Sequence, residues 1–228
     1  MKMLRPASHH SYRILVVGFL LNLLLSPPLS FLQAQDSTIA WGNNNNTQSA
    51  VPPEATNVVG LAAGTLHSLA LRANGTAVGW GDTLFGQANV SAGLSNVVAV
   101  AGGSTYSLAL LSNGTVVVRG TQPAPPADLT NVTAIAAGWR HCLALRADGT
   151  VVSWGDSNAV PANLTNVVAI SAGDGQSLAL LDDRTVVAWG DGDFGKTLVP
   201  PGLSNVVAIS AGKDHCLALL QNGTLVGW

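Results

Sequence analysis

The chain has 228 residues, of which 10% are charged, and its 12 acidic and 10 basic side chains leave a formal charge of −2. No basic cluster lies beyond the N-terminus, so the chain is poorly equipped to neutralise phosphates, and nucleic acid is not an expected partner. The 47% hydrophobic content and 25 glycines suit sheets stacked face to face with tight turns between them.

The first 35 residues stand apart. Lys2, Arg5 and Arg13 precede an apolar run over residues 14–25, and small and polar residues follow, with Ala34 as the expected last residue before cleavage. This is the layout of a secretory signal peptide, and the run is shorter than the ~20 apolar residues a membrane span needs. The mature chain is therefore expected to be secreted, periplasmic or at the cell surface, without a membrane span. An uncleaved N-terminal anchor is the alternative.

Residues 37–42 read Ser-Thr-Ile-Ala-Trp-Gly, a strand-like run with no partner strands before it. A Pro-containing link follows, and then one stretch recurs five times, in modules beginning near residues 56, 95, 130, 165 and 204. An Asn marks each start, at Asn57, Asn96, Asn131, Asn166 and Asn205, spaced 39, 35, 35 and 39 residues apart. Trp-Gly closes the pattern at Trp41, Trp80, Trp154 and Trp189, Trp228 is the last residue, and Arg119 takes the Trp position in the second module. A period of this size with strands in every unit marks a repeat architecture.

Each module reads as three strands. The first run, such as residues 167–173, is apolar at successive positions, as in a strand covered on both faces, and its small residues suit an innermost strand. The second run, such as Cys142-Leu143-Ala144-Leu145, leads to Asn-Gly or Asp-Gly at Asn74, Asn113, Asp148 and Asn222, a tight-hairpin signal because positive φ is cheap there. Asp183-Arg184 breaks this pattern, and another turn is expected. The third run, such as residues 150–154, has the β-branched and aromatic residues of a strand. No module shows a sustained helical period, so the expected fold is an all-β propeller of 35–39 residue repeats. The last module carries its own third strand, leaving the run at residues 39–41 with nothing to complete. The chain is thus expected to be C-terminally truncated, with a further partial module after Trp228. Five blades and a spare strand is the alternative.

Residues that recur with the period are expected to be structural. His67, His141 and His215 share a slot with Tyr106 and Gln176, which reads as a repeated hydrogen bond at a strand start. Cys142 and Cys216 share a slot with Ser68, Ser107 and Ser177 and are expected to be buried and unbridged, because non-adjacent blades are too far apart for a disulfide. Trp80, Trp154 and Trp189 read as blade-packing residues. Asp82, Asp156 and Asp191 follow Trp-Gly, with Asp193 nearby, and read as loop-capping residues. The Asn-Gly-Thr triplets are hairpin text before they are glycosylation acceptors. No catalytic residue, cofactor or metal is expected.

Function is sought where the modules differ. In an up-down-up blade the connection after the first strand and the exit from the third lie on one face. Phe85, Tyr106, Trp139, Arg140, Asp193, Phe194 and Lys213 are the candidate binding residues of that loop face, because loops on a rigid scaffold carry function and Trp, Tyr and Arg are enriched at hot spots. The expected function is a non-enzymatic, exported propeller that binds a protein or a glycan, as a monomer or as part of a larger chain. A polysaccharide-active enzyme using the loop carboxylates is one alternative.

The runs Ala63-Gly64 to Leu71, Asn74 to Val78 and Trp80-Gly81 to Gln87 resemble the repeats of the regulator of chromosome condensation family. The resemblance covers nearly everything after Asp36. It implies a propeller, typically of seven blades, and hence a partial one here. The modules are similar to the compact repeats of secreted bacterial propellers, among them a β-lactamase inhibitory protein. Two links depart from the fuller pattern: residues 120–129 and 155–164 lack the element present at Phe85-Gly86-Gln87 and Phe194-Gly195-Lys196. A regulatory propeller with guanine nucleotide exchange activity is the second alternative the resemblance implies, although export would remove its substrate and fold alone does not carry function.

Overall fold

The computed structural model describes residues 38–91, 93–122, 124–156 and 159–228. The signal-like segment over residues 1–35 lies outside them, apart from which no described helix is long and apolar enough to cross a membrane. Among the described residues, fifteen strands form five antiparallel three-stranded sheets, each from consecutive sequence. Blade one holds β1 (Val58–Ala63), β2 (His67–Arg72) and β3 (Ala77–Gly81); blade two holds β4 (Val97–Gly102), β5 (Tyr106–Leu111) and β6 (Val116–Gly120). Blade three holds β7 (Val132–Ala137), β8 (His141–Arg146) and β9 (Val151–Gly155); blade four holds β10 (Val167–Ala172), β11 (Gln176–Leu181) and β12 (Val186–Gly190). Blade five holds β13 (Val206–Ala211), β14 (Cys216–Leu220) and β15 (Leu225–Gly227). Blades pack in chain order, with the first strands β1, β4, β7, β10 and β13 each beside the next.

The middle strands bury both faces, and the two faces differ in size. Leu143 and Leu145 on β8 pack with Ala179 on β11, and Leu178 and Leu180 on β11 pack with Cys216 and Ala218 on β14. Tyr106, Leu108 and Leu110 meet Cys142 and Ala144 in the same way. Each blade thus sets large side chains against the small ones of the next, so that the two faces interdigitate. The recurring polar slot seals the same junctions. His67 Nε2 lies 2.8 Å from Ser107 Oγ and His141 Nε2 3.0 Å from Ser177 Oγ. Gln176 Nε2 donates to the Gly212 carbonyl at 3.0 Å. Cys142 and Cys216 are buried and free, and burial pushes the Cys142 thiol up to about 12.

Three local expectations are refined. Residues 38–41 form no strand, and Ile39 and Trp41 are exposed. A strand needs a paired ladder, and each described sheet already takes all three strands from its own module. The first strands are not covered on both faces throughout: each has a bulge at its second residue, and Val59, Val98, Val168 and Val207 there are exposed. The hairpin at Asp183-Arg184 uses the same turn as the others. Leu181 N donates to Thr185 O and Arg184 N to Leu181 O, as Arg72 N does to Thr76 O and Gly75 N to Arg72 O, and Arg184 adopts the φ of 67° that glycine supplies elsewhere.

Candidate functional site

The loop face is assembled by one repeated hydrogen bond. Asp82 N donates to Leu66 O at 2.9 Å, Thr121 N to Thr105 O at 3.3 Å, Asp156 N to Arg140 O at 2.8 Å and Asp191 N to Gly175 O at 3.0 Å. This ties the exit of each third strand to the connection between the first two, so the variable residues of both segments share one surface. Adjacent blades are tied there too, because Thr65 N donates to Gly103 O, Trp139 N to Gly173 O and Asp174 N to Gly212 O.

The links between blades decide what this surface looks like. Where a link carries the Phe-Gly-Gln or Phe-Gly-Lys element, that third residue plugs the junction. Gln87 is buried, its Oε1 accepts Phe85 N and its carbonyl accepts Ser107 Oγ. Lys196 is 3% exposed, with Nζ 2.8 Å from Asp191 Oδ2 and 3.0 Å from Asp174 O, and its carbonyl accepts Trp228 Nε1. Gln48 stands in the same relation to blade one, its carbonyl accepting both Ser68 Oγ and Trp80 Nε1. No such carbonyl contact is seen from the described residues of the two short links. Trp154 Nε1 and Trp189 Nε1, in the blades that follow them, are buried without a partner.

At the first short link, between blades two and three, the face opens into a cavity of about 640 Å3. Blade one contributes Thr65 and Leu66, blade two Thr105 with Thr121 and Gln122, and blade three Trp139, Arg140 and Asp156. Trp139 is pinned on both sides. Its N–H is held by blade four, and its carbonyl accepts the Ser104 hydroxyl of blade two. Thr105 Oγ1 and Thr121 Oγ1 are 2.8 Å apart, and Arg140 Nη1 lies 3.8 Å from Asp156 Oδ2 in an exposed pair. A cavity of about 650 Å3 beside Ser204, Asn205 and Gln221 and one of about 570 Å3 beside Thr56, Asn57 and Ala73 occupy equivalent places in blades five and one, on the hairpin side. The loop-face cavity differs from these two in being lined by residues of three blades.

Of the seven candidate residues, Trp139 and Arg140 line this cavity. Phe85 and Phe194 are exposed on the long links, Phe194 at 82%, and Asp193 is exposed beside it with its N–H held by Asp191 Oδ1. Lys213 is exposed in blade five. Tyr106 is not a surface residue: it is fully buried and its hydroxyl donates to Gly138 O at 3.0 Å or to His141 O at 2.6 Å. It fills the histidine slot of blade two, where a phenol reaches across the junction as imidazole does elsewhere. Thr121 and Gln122 were not singled out from the sequence, although the missing Phe-Gly-Gln element just after them was the signal that this junction is uncovered. The carboxylates stand apart, each with its own partner: Asp82 Oδ1 accepts Leu84 N, Asp156 faces Arg140, and Asp191 is held by Lys196 and Asp193 N, which keep its carboxyl below the usual range. No group of three potential metal ligands occurs among the described residues.

Residues 58–87, 132–159, 167–196 and 206–228 match the model of the regulator of chromosome condensation (RCC1) repeat. Four of the five described blades are RCC1 repeats. Blade two is the one outside the matched residues, and it is the blade with Arg119 in the Trp position and Tyr106 in the His slot. Yeast RCC1 (Prp20), solved bound to Kap60, is 24% identical with a TM-score of 0.64, over 77% of this chain and 56% of that one. The ectodomain of the Physcomitrella patens receptor kinase CR4 is 24% identical with a TM-score of 0.65, over 74% of this chain and 52% of that one. The CRINKLY WD40 ectodomain of the Arabidopsis thaliana receptor kinase ACR4 is 23% identical with a TM-score of 0.66, over 82% and 70%. These likenesses show the propeller fold, and the RCC1-repeat chain spans little more than half the length of the first two. No curated protein sequence matches the chain.

Proposed function

We propose that this RCC1-repeat chain is an exported, non-enzymatic binding propeller that captures a protein or glycan partner on its loop face. The observation that carries the reading is the cavity at the junction of blades two and three, where a pinned Trp139 and the Arg140–Asp156 pair stand on a frame that is otherwise repeated. A rigid scaffold with variable loops is suited to recognition, and Trp and Arg are residue types enriched among binding hot spots. Export rests on the basic and apolar pattern of residues 2–25.

Two measurements test it. Cell fractionation should find the protein outside the cytoplasm. Surface or extracellular material captured by the immobilised wild-type chain should be lost with Trp139→Ala/Arg140→Ala at unchanged circular dichroism; equal capture by both proteins removes this face from the function. A cytoplasmic location would instead favour a regulatory propeller, the reading suggested by yeast RCC1, which has been studied for binding to Gsp1p and histones.

A further inference from the structure

We infer that the cavity between blades two and three is a site for a neutral carbohydrate, a short run of uncharged sugar rings. The inference rests on the loop face being the binding face, and it names the chemistry of the ligand. The cavity lies where the link is short: Gln87 fills the preceding junction and Lys196 the junction before blade five, whereas after blade two the Phe-Gly-Gln element is missing and Gln122 stands against Gly155 at the cavity wall. Its volume of about 640 Å3 falls in the range of small-molecule sites rather than of flat protein interfaces.

The lining selects among ligands. Arg140 and Asp156 face each other, so the one cation and the one anion cancel. A phosphate or carboxylate ligand would have to compete with Asp156 for the guanidinium, which disfavours anions. Apolar wall is confined to Leu66 and Trp139, too little for a lipid chain or an extended hydrophobic peptide. What remains is dense in neutral donors and acceptors, namely the Thr105–Thr121 hydroxyl pair and the Gln122 amide, around one indole. A pyranose ring has this same division, with hydroxyls around its edge and a C–H face that lies on an aromatic ring, while Arg140 and Asp156 offer a paired donor and acceptor to adjacent hydroxyls. Because the Trp139 backbone is fixed by blades two and four, no main-chain rearrangement is needed to present the indole, which lowers the entropic cost of binding.

The test titrates the full chain with cellotriose, maltotriose, laminaritriose and chitotriose, with trigalacturonate as the charged control, followed by tryptophan fluorescence and saturation-transfer NMR. At least one neutral trisaccharide should bind with a Kd below ~1 mM, Trp139→Ala should weaken it at least ~10-fold, and Thr121→Val, an exposed change that leaves the fold intact, should weaken it several-fold. Failure of all four sugars at ~10 mM, binding indifferent to both substitutions, or equal binding of trigalacturonate would overturn the assignment. If the sugars fail while a protein partner is still captured in a Trp139-dependent way, the carbohydrate assignment is wrong and the loop-face reading stands. If both fail, both fall.

Discussion

Five asparagines explain why the modules begin as they do. Asn57, Asn96, Asn131, Asn166 and Asn205 all take positive φ, between 51° and 58°. Their carbonyls accept the N–H of Ala73, Ser112, Ala147, Asp182 and Gln221. Asn tolerates the left-handed region better than other non-glycine residues, so the repeated letter records a backbone conformation. The sequence displayed the period of these residues but not this cause, because φ is not written in any spacing. The same reasoning gives a prediction at Arg184. It holds a φ of 67° in a turn where the other hairpins place glycine, and its exposed side chain donates to Gln221 Oε1. A left-handed conformation costs an ordinary residue about 1–2 kcal/mol, offset in part by the greater unfolded-state freedom of glycine. Arg184→Gly should therefore stabilise the protein by about 0.5–1 kcal/mol, read as a higher urea midpoint at unchanged slope. A lower midpoint would show that the contact with Gln221 outweighs the backbone strain.

Among the elements, the strands were legible and their exposed positions were not. Three strands per module follow from the apolar runs and the Asn-Gly pairs, and the structure has them. The bulge in each first strand is invisible in the letters, because the two valines at Val167-Val168 look alike. Val167 is buried against blade three, while Val168 sits at the bulge and is exposed. Val167→Ala should cost about 2 kcal/mol and Val168→Ala less than about 0.5 kcal/mol in denaturant unfolding. The middle strands posed the opposite problem. They are buried on both faces, so alternation does not say which way a side chain points, and the ring of Tyr106, a loop-face candidate by its residue type and position, lies in a junction. The size rule of that junction makes a sharper prediction. Leu143 on β8 is fully buried and packs with Ala179 on β11. Leu143→Ala should cost about 3 kcal/mol, and Ala179→Leu, which overfills the small side of the same contact, about 1–3 kcal/mol. Equal tolerance of both changes would mean that the blades are not held by this complementarity.

At the scale of the whole molecule, the repeated histidine slot makes blade packing sensitive to acid. Ser107 Oγ donates to Gln87 O, so it accepts from His67 Nε2–H, and Nδ1 is left buried without a partner. Protonation would place a charge on that nitrogen in an apolar junction. Burial accordingly lowers the His67 pKa from 6.5 to about 4, opposed by the Asp82 carboxylate, and burial lowers that of His141 in the same direction against Asp174. The sign follows directly. The unfolded chain binds protons on these histidines near pH 6.5 and the folded chain does not, so their cost is absent above pH 6.5 and grows as the pH falls towards 4. For His67 the drop of about 2.5 pH units at about 1.36 kcal/mol each corresponds to about 3 kcal/mol, largely spent by pH 4. The exposed carboxyls of Asp148 and Asp183, lowered by hydrogen bonds from Thr150 and Thr185, act in a separate window below about pH 4. Blade four supplies the control, since Gln176 fills the slot without a titratable group and still reaches Gly212 O. Calorimetric melting should show the wild type losing stability steadily from pH 7 to pH 4.5, and a His67→Gln/His141→Gln variant should be nearly flat over that interval. An equally steep loss in the variant would move the acid sensitivity away from these junctions and onto the surface carboxylates.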